Sequence, residues 1–332
     1  NPRKNKDHAE LQDRLSKTLD VQNSFGSTVP DAGGFLIPEA MRTDILTHSL
    51  EKSVVRPLAT VIPMETLTLA IPAIDDTSHA TNVYGGVQAY WSEENAAITE
   101  SQATFRRIKL EAEKLALYHE IPNELLADAS ALSVWIGQRM PEALAWFEDD
   151  AFIDGNGAGE PLGFLNGDAV ISVTKETGQA ASTIVWENLV KMYSRMLPSS
   201  HGNAVWIASH DTFPELATMA LSVGTGGSAV WLNNGVAGPP MTILGRPVIF
   251  TEKVEALGTA GDLNYVDLSM YLIGDRQAMS VELSEHFKFQ NDVTAVRLIE
   301  RVAGRPWVES ALTPRNGSSS TLSPFVTIAT RA

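Results

Sequence analysis

The chain has 332 residues, of which 44% are hydrophobic and 20% charged, a balance typical of a globular protein that buries a substantial core. It contains no cysteine, which excludes disulfide bonds and thiolate metal sites. No apolar run is long enough to cross a bilayer, and the first 30 residues are polar and charged. We therefore expect neither a transmembrane segment nor a signal peptide.

The formal net charge is −15 at pH 7. A protein that holds nucleic acid by its phosphates needs a basic face. The basic clusters of this chain are only Arg106-Arg107 and the short run Arg3-Lys4-Asn5-Lys6. Any DNA that the chain meets is therefore expected to be enclosed by it and not bound to it.

The N-terminal segment carries Leu11, Leu15 and Leu19 at four-residue spacing, which predicts a helix with a narrow apolar stripe that needs a partner. The chain begins at Asn1 without a methionine, which predicts a processed chain. Residues 33–38 then predict a glycine turn that leads into a short extended apolar stretch.

Residues 66–71 and 104–113 alternate apolar and polar side chains, as half-buried strands do. In the second segment Ile108, Leu110 and Ala112 share one face. About thirty polar, glycine-containing residues separate the two segments, and a loop of this length is usually functional or disordered. The pattern predicts an arm that projects from a core.

Residues 130–154 are the longest helical pattern, in which Pro141 predicts a bend. Helices are also predicted at 186–197 and 211–220. Strands are predicted at 203–208, 229–232, 241–251, 266–273, 279–283, 293–302 and 324–329. This mixture predicts the α+β fold class.

The glycine-rich run from Gly155 to Gly163 invites comparison with a phosphate-binding loop. Such a loop needs a strand before it, a helix after it and usually a lysine. Here a helix precedes the run, Pro161 interrupts it and no lysine is near. We interpret the run as a structural turn.

Other candidate chemical groups give no site. The seven histidines have no metal-ligand spacing, and His210-Asp211 has no accompanying nucleophile motif. The run Glu148-Asp149-Asp150 lies on a predicted helix, where consecutive side chains point apart, so we expect a solvated or interface surface. The sequence therefore predicts no catalytic residue, no cofactor site and no metal site.

The order of several motifs resembles the major capsid proteins of tailed bacteriophages, which share the Hong Kong 97 fold. The resemblance covers about residues 30–313, and the turn at 159–166 is its most specific part. The motifs are Gly33 to Pro38, Trp91 to Glu94, Glu100-Ser101 with Phe105, Lys114 to Asp128, Glu142 to Gly157, Gly159 to Asn166, Leu244 to Val248, Gly274 to Arg276, and Glu300 to Val302 with Arg305-Pro306.

The resemblance implies a fold with an N-terminal arm at 1–60, an extended loop at 61–115, a peripheral domain at 116–185 and 266–332, and an axial domain at 186–265. It implies a major head protein that forms hexamers and pentamers in an icosahedral shell around double-stranded DNA. The expected partners are other copies of the chain, and a scaffold, a prohead protease, a portal and decoration proteins are candidate partners. Some family members carry an N-terminal scaffold that a phage protease removes, which implies that the stripe of Leu11, Leu15 and Leu19 is the end of such a segment, cleaved just before Asn1. Such a protein is assembled in the host cytoplasm, resides in the virion, and is neither an enzyme nor a membrane protein.

The extended loop is the expected site of contact with neighbouring subunits. Charges of both signs along it suit ion pairs across such an interface. The predicted contact residues are Glu93, Glu94, Glu100, Arg106 and Arg107.

Some members of the family that this chain resembles form a covalent bond between a loop lysine and an asparagine of a neighbouring subunit, assisted by a buried glutamate. In this chain the lysine position holds Ala97 or Ile98, the glutamate position Ile299 and the asparagine position Asp292, with Asn291 beside it. The resemblance therefore predicts shells without covalent cross-links.

Two alternatives remain open on the sequence. An encapsulin-like shell has a similar fold and encloses protein cargo, but the leader of about thirty residues and the long loop fit phage proteins better. An α+β hydrolase would need a nucleophile, a base and oxyanion donors that converge in a pocket.

Overall fold

The computed structural model describes residues 50–331, except 81–82, 96, 125–129, 222–227, 230–241, 287 and 318. The leucine stripe, the segment at 33–38 and most of the predicted N-terminal arm lie outside the described residues. Within the part of the chain that is described, no helix is long and apolar enough to cross a membrane.

The described helices and strands confirm the predicted α+β class. The helices are α1 (Ser130–Asp154), α2 (Trp186–Arg195) and α3 (Phe213–Thr218). The strands are, in chain order, β1 (Thr60–Pro63), β2 (Thr68–Ile74), β3 (Phe105–Glu111), β4 (Glu113–Pro122), β5 (Ile171–Val173), β6 (Val205–Ala208), β7 (Ala220–Leu221), β8 (Ser228–Ala229), β9 (Thr242–Ile243), β10 (Arg246–Phe250), β11 (Leu263–Val266), β12 (Tyr271–Ser284), β13 (Val293–Pro306) and β14 (Phe325–Ile328).

β2 and β3 form an antiparallel two-stranded sheet, in which Thr68 pairs with Glu111 and Ile74 with Phe105. The predicted inner face of β3 is confirmed, because Ile108 and Leu110 are fully buried. They pack with Leu272 of β12 and with neighbouring apolar side chains. β2 begins at Thr68, two residues later than the predicted segment at 66–71, and Leu67 is half-exposed.

A four-stranded sheet has the order β1-β12-β13-β4, with β1 parallel to β12 and the other pairs antiparallel. One face of β13 and β4 supplies Val296, Leu298 and Ile121, which pack against Met140 and Leu144 of α1. The apolar side chains that share one face of α1 thus pack against the apolar side chains that alternate along the two strands, and the long helix lies on the sheet.

Helix α1 has the bounds that its pattern predicts, with Pro141 inside it. The helix stops at Gly155, whose N–H still donates to the Ala151 carbonyl at 2.9 Å. A β-carbon at Gly155 would lie 2.2 Å from the Pro161 carbonyl oxygen, so only glycine fits at this close approach.

A six-stranded sheet has the order β5-β14-β11-β6-β10-β9. Its core contains the stacked rings of Trp206 and Tyr265, 4.3 Å apart, and α2 packs on it through Leu189 and Met192. β14 lies between β5, to which it is parallel, and β11, to which it is antiparallel. The sheet therefore combines strands from 205–266 with two strands, β5 and β14, from segments that the sequence places in the peripheral domain.

Two predicted strands are divided in the structure. The segment at 266–273 is interrupted after Val266 because the Asp267 carboxylate accepts hydrogen bonds from the Ser269 N–H (3.1 Å) and hydroxyl (2.6 Å), which fixes a short 3₁₀ turn before β12. The segment at 241–251 is divided by Leu244 and Gly245, which have positive φ angles of 49° and 76°. The strand predicted at 279–283 is the last part of the 14-residue β12.

Candidate assembly surfaces and a buried charged junction

The loop between β2 and β3, residues 75–104, is held at its start by its own chain. The Gly86 region folds back on the β3 end of the loop, where a β-carbon on Gly86 would lie 2.3 Å from the Gln102 carbonyl oxygen. Near the start of the loop, the His79 N–H donates to the Thr313 carbonyl at 2.8 Å. The Thr313 N–H donates to the Thr77 carbonyl at 3.0 Å. The loop is therefore anchored to the segment that follows β13.

The tip of the loop presents large apolar side chains to solvent. Trp91 is fully exposed, and Ile98 is 89% exposed. Tyr90 is about half-exposed, and Phe105, where β3 begins, is 73% exposed. Such side chains usually lie in an interface, because a soluble monomer rarely displays a contiguous apolar patch.

Four of the five predicted contact residues are exposed: Glu93, Glu94, Glu100 and Arg107. The fifth, Arg106, is only partly exposed because it contacts its own chain. Its Nη1 lies 2.8 Å from Glu309 Oε2, and its Nη2 donates to the Trp307 carbonyl at 2.7 Å. The two adjacent arginines thus point to different environments, as alternating positions of a strand require.

The carboxylate of Asp149 on α1 is completely buried and fully hydrogen-bonded. It accepts from the Ser53 hydroxyl at 2.8 Å and from the N–H groups of Val54 and Val55 at 2.9 and 2.8 Å. It also pairs with Lys253 Nζ at 2.7 Å, where both side chains are inaccessible to solvent. Asp149 therefore fixes the segment before β1 against the long helix.

A second cluster, which we call the charged junction, consists of Arg56, Glu148, Asp275 and Glu300. Arg56 Nη1 and Nη2 donate to the two Asp275 oxygens at 2.8 and 3.0 Å. Nη2 also donates to Glu148 Oε1 and, at 3.4 Å, to Glu300 Oε1. One guanidinium thus serves three carboxylates that come from α1, β12 and β13.

Glu300 is the least satisfied member of the charged junction. Burial, together with the negative charge of Glu148, raises the pKa of Glu300 to about 7, although Arg56 acts in the opposite direction. Burial also raises the pKa of Glu148, against the opposing effect of its bond to Arg56. Because its pKa is raised, Glu300 is neutral at moderately acidic pH.

The prediction that Glu148 and Asp149 form a solvated or interface surface was wrong. Both are buried, with 4% and 0% exposure, although they do point apart as the helix geometry requires. Each meets its own cation, Arg56 or Lys253, from a distant part of the chain. No sequence signal identifies these partners, because 92 and 104 residues separate them from the acids.

The glycine-rich run after α1 forms a structural turn, as predicted. The Gly163 N–H donates to the Gly155 carbonyl at 2.8 Å, and the Leu162 N–H donates to Gly304 of β13 at 2.9 Å. The Tyr271 hydroxyl donates to the Leu162 carbonyl at 2.8 Å. The turn thus ties the end of α1 to the centre of the four-stranded sheet.

Among the residues that the structure describes, no group of three or more His, Cys, Asp or Glu side chains is placed to hold a metal ion. A cleft of about 540 Å³ beside α1 is lined by several carboxylates, including Asp150, Asp154 and Glu160. Burial and the neighbouring carboxylates raise the pKa of Asp150. The main features of the described residues are therefore the exposed apolar side chains of the loop and the buried ion pairs.

A family model described as the phage capsid family matches residues 33–316, most of the chain. The chain belongs to the phage capsid family. Membership confirms the resemblance seen in the order of the motifs, and it identifies a structural component of the virion capsid and not an enzyme.

Among individual relatives, the major capsid protein of Klebsiella oxytoca phage phiKO2 is 25% identical over 280 residues. The match covers 79% of this chain and 60% of that protein, so the chain spans about 60% of the length of this relative.

Solved structures share the fold at lower identity. The capsid of a native GTA particle, computed with C5 symmetry, has a TM-score of 0.74 and 20% identity, covering 93% of this chain and 100% of that one. A chain of Mycobacterium phage Adephagia has a TM-score of 0.65 and 16% identity, with 92% and 98% covered. Their likeness confirms that the fold is that of Hong Kong 97-like capsids.

Proposed function

We propose that this chain is the repeating subunit of an icosahedral shell, in which hexamers and pentamers surround packaged double-stranded DNA. The family match over residues 33–316 carries the proposal. The net charge of −15 supports enclosure and not tight binding, because an acidic wall repels the phosphates of the packaged DNA.

The proposal includes a four-part division of the subunit: an N-terminal arm at 1–60, an extended loop at 61–115, a peripheral domain at 116–185 and 266–332, and an axial domain at 186–265. Pairing of β13 with β4 and β12 supports a peripheral domain built from distant segments. The place of β5 and β14 beside β11 favours counting these two strands with the axial domain.

The tip of the loop at 75–104 is proposed to lie on a neighbouring subunit. Trp91 and Ile98 supply the apolar part of this contact, and burying a large side chain of this kind contributes about 1.5–3 kcal/mol. Glu93, Glu94, Glu100 and Arg107 supply its charges. Arg106 contributes indirectly, because its bonds to Glu309 and Trp307 orient the base of the loop.

The candidate partners of the shell are a scaffold, a prohead protease, a portal and decoration proteins, which meet it during assembly in the host cytoplasm. The chain itself supplies the surfaces, and these proteins control when and where the surfaces meet. No membrane takes part in this scheme.

Electron microscopy of the overexpressed chain tests the shell directly, and closed particles of uniform size are expected. Particles from the producing host should contain double-stranded DNA that resists nuclease until the shell is broken. Protein cargo without DNA would replace the proposal by an encapsulin-like compartment. A chain that stays monomeric at all concentrations would contradict the shell itself.

A further inference from the structure

The charged junction connects parts of the chain that are remote in sequence. Arg56 precedes β1, Glu148 lies on α1, Asp275 on β12 and Glu300 on β13. Arg56 is separated from Glu300 by 244 residues and from Asp275 by 219. The four side chains therefore hold the segment before β1, the long helix and the two longest strands together at one point.

The junction has one cation for three acids. If all three carboxylates are ionised, two negative charges remain uncompensated in a site where Glu148 and Glu300 are buried and Asp275 is partly exposed. Glu300 carries a further cost, since its Oε2 is buried and has no hydrogen-bond partner among the described residues. A buried carboxylate oxygen without a partner is destabilising, and a proton on Glu300 removes its charge.

The strand pairing is irregular beside Glu300. Gln277 pairs with Arg301 and Ser280 with Ile299, so two residues of β12 lie opposite Glu300 and one of them is extra. A second irregularity lies between Asp275 and Gln277. Such bulges interrupt the ladder of hydrogen bonds. The ion pairs consequently matter more here than in a regular part of the sheet.

Other ionisable groups around the junction are already compensated or neutral. Asp149 is paired with Lys253, and the pKa of the buried Tyr271 is raised well above its usual value by burial. β1 contributes no charged side chain, and β4 places the apolar Leu115 opposite Glu300. The net charge of the junction is therefore decided by Arg56 and the three carboxylates that it contacts.

We propose that the charged junction is a proton-dependent latch, which is closed when Glu300 carries a proton and loosens when that proton is lost. Loss of the proton adds a second unpaired negative charge beside Glu148. The repulsion acts between α1 and β13 and weakens the hold of both on the segment before β1. The inference concerns the single subunit and is independent of the proposed shell.

The direction with pH follows from the two states of the chain. Glu300 has a pKa of about 7 in the folded chain and 4.5 when unperturbed. Between these values the folded chain keeps a proton that the unfolded chain has lost. The stabilising effect is therefore complete below about pH 4.5 and is lost as the pH rises through about 7.

Chemical denaturation of the isolated subunit between pH 5 and 8 tests the latch. For the wild type, the folding equilibrium constant should fall roughly 10- to 100-fold across this range through Glu300. Glu300→Gln, which resembles the protonated acid, should lose this part of the pH dependence. Glu282→Gln, at an exposed ion pair on β12, should keep it. Parallel profiles for the wild type and Glu300→Gln would overturn the proposal.

Hydrogen exchange of the wild type gives a second measurement if Glu300→Gln does not fold. After correction for the intrinsic pH dependence, peptides that cover residues 53–58 should exchange several-fold faster at pH 8 than at pH 6. Peptides from β6, in the core of the six-stranded sheet, should not change. Equal protection of residues 53–58 at both pH values would also overturn the latch.

Discussion

Asp149 and Lys253 form an ion pair at 2.7 Å in which neither side chain reaches solvent. Removing one partner of such a pair leaves an uncompensated buried charge, which costs about 3–5 kcal/mol. Asp149→Asn should therefore lower the free energy of unfolding by about this amount, measured by urea denaturation. Lys109→Met, at an exposed ion pair with Glu111, should change it by less than about 1 kcal/mol. Similar losses from both variants would contradict this reading of the site.

Two glycines provide a matched test of packing. A β-carbon at Gly304 would lie 2.4 Å from the Tyr271 hydroxyl and 2.8 Å from the Phe152 ring. Gly304→Ala should therefore cost about 1–3 kcal/mol of stability. Gly137, exposed on α1, has no atom within 4 Å of its β-carbon position, and Gly137→Ala should stabilise by about 1 kcal/mol. Thermal unfolding of both variants should show stability changes of opposite sign. A stabilising Gly304→Ala would contradict the close packing of Gly304 against Tyr271 and Phe152.

Reversing the charges of Arg106 and Arg107, at the start of β3, should reduce shell assembly. The double variant Arg106→Glu/Arg107→Glu should give few shells while the subunit remains folded, as judged by circular dichroism and sedimentation. Arg107→Glu alone separates the two effects, because it preserves the pair between Arg106 and Glu309. We expect Arg107→Glu to lower shell yield without changing subunit stability by more than about 1 kcal/mol. Normal shell yield from the double variant would eliminate the predicted loop contacts.

Mature particles should contain no covalent links between subunits. Ala97 and Ile98 occupy the loop positions at which a reactive lysine is required, and Ile98 is exposed there. Particles boiled in detergent should therefore run as a single band at the mass of one subunit. A ladder of multimers that survives boiling would contradict the prediction.

The sequence predicted the features that depend on local spacing. The bounds of α1 and the buried face of β3 follow from periodicity, because Met140 and Leu144 or Ile108 and Leu110 must share a side. The division after Val266 could not be predicted this way. Val266, Leu268 and Met270 alternate with polar residues there, as in a strand, and the hydrogen bonds of the Asp267 side chain break the strand.

The exposure of the loop charges was predicted from the sequence, while their contact with a neighbouring subunit stays a prediction. The exposed charges of the loop agree with the positions of Glu93, Glu94 and Arg107. The charged junction was missed because its members come from four distant segments, and a carboxylate such as Glu148 looks solvated until its cation is known. Tertiary pairing, and not local pattern, decides whether an acidic side chain on a helix is buried.

The position of β14 has a consequence for synthesis on the ribosome. β14 ends at Ile328 and lies between β5 and β11, so the middle of the six-stranded sheet stays open until residue 328 has been translated. Nascent chains must expose the edges of β5 and β11 during this time, a state prone to pairing with the wrong partner. Chaperones that bind nascent chains should therefore act on this protein after residue 266 has emerged and before residue 325 has.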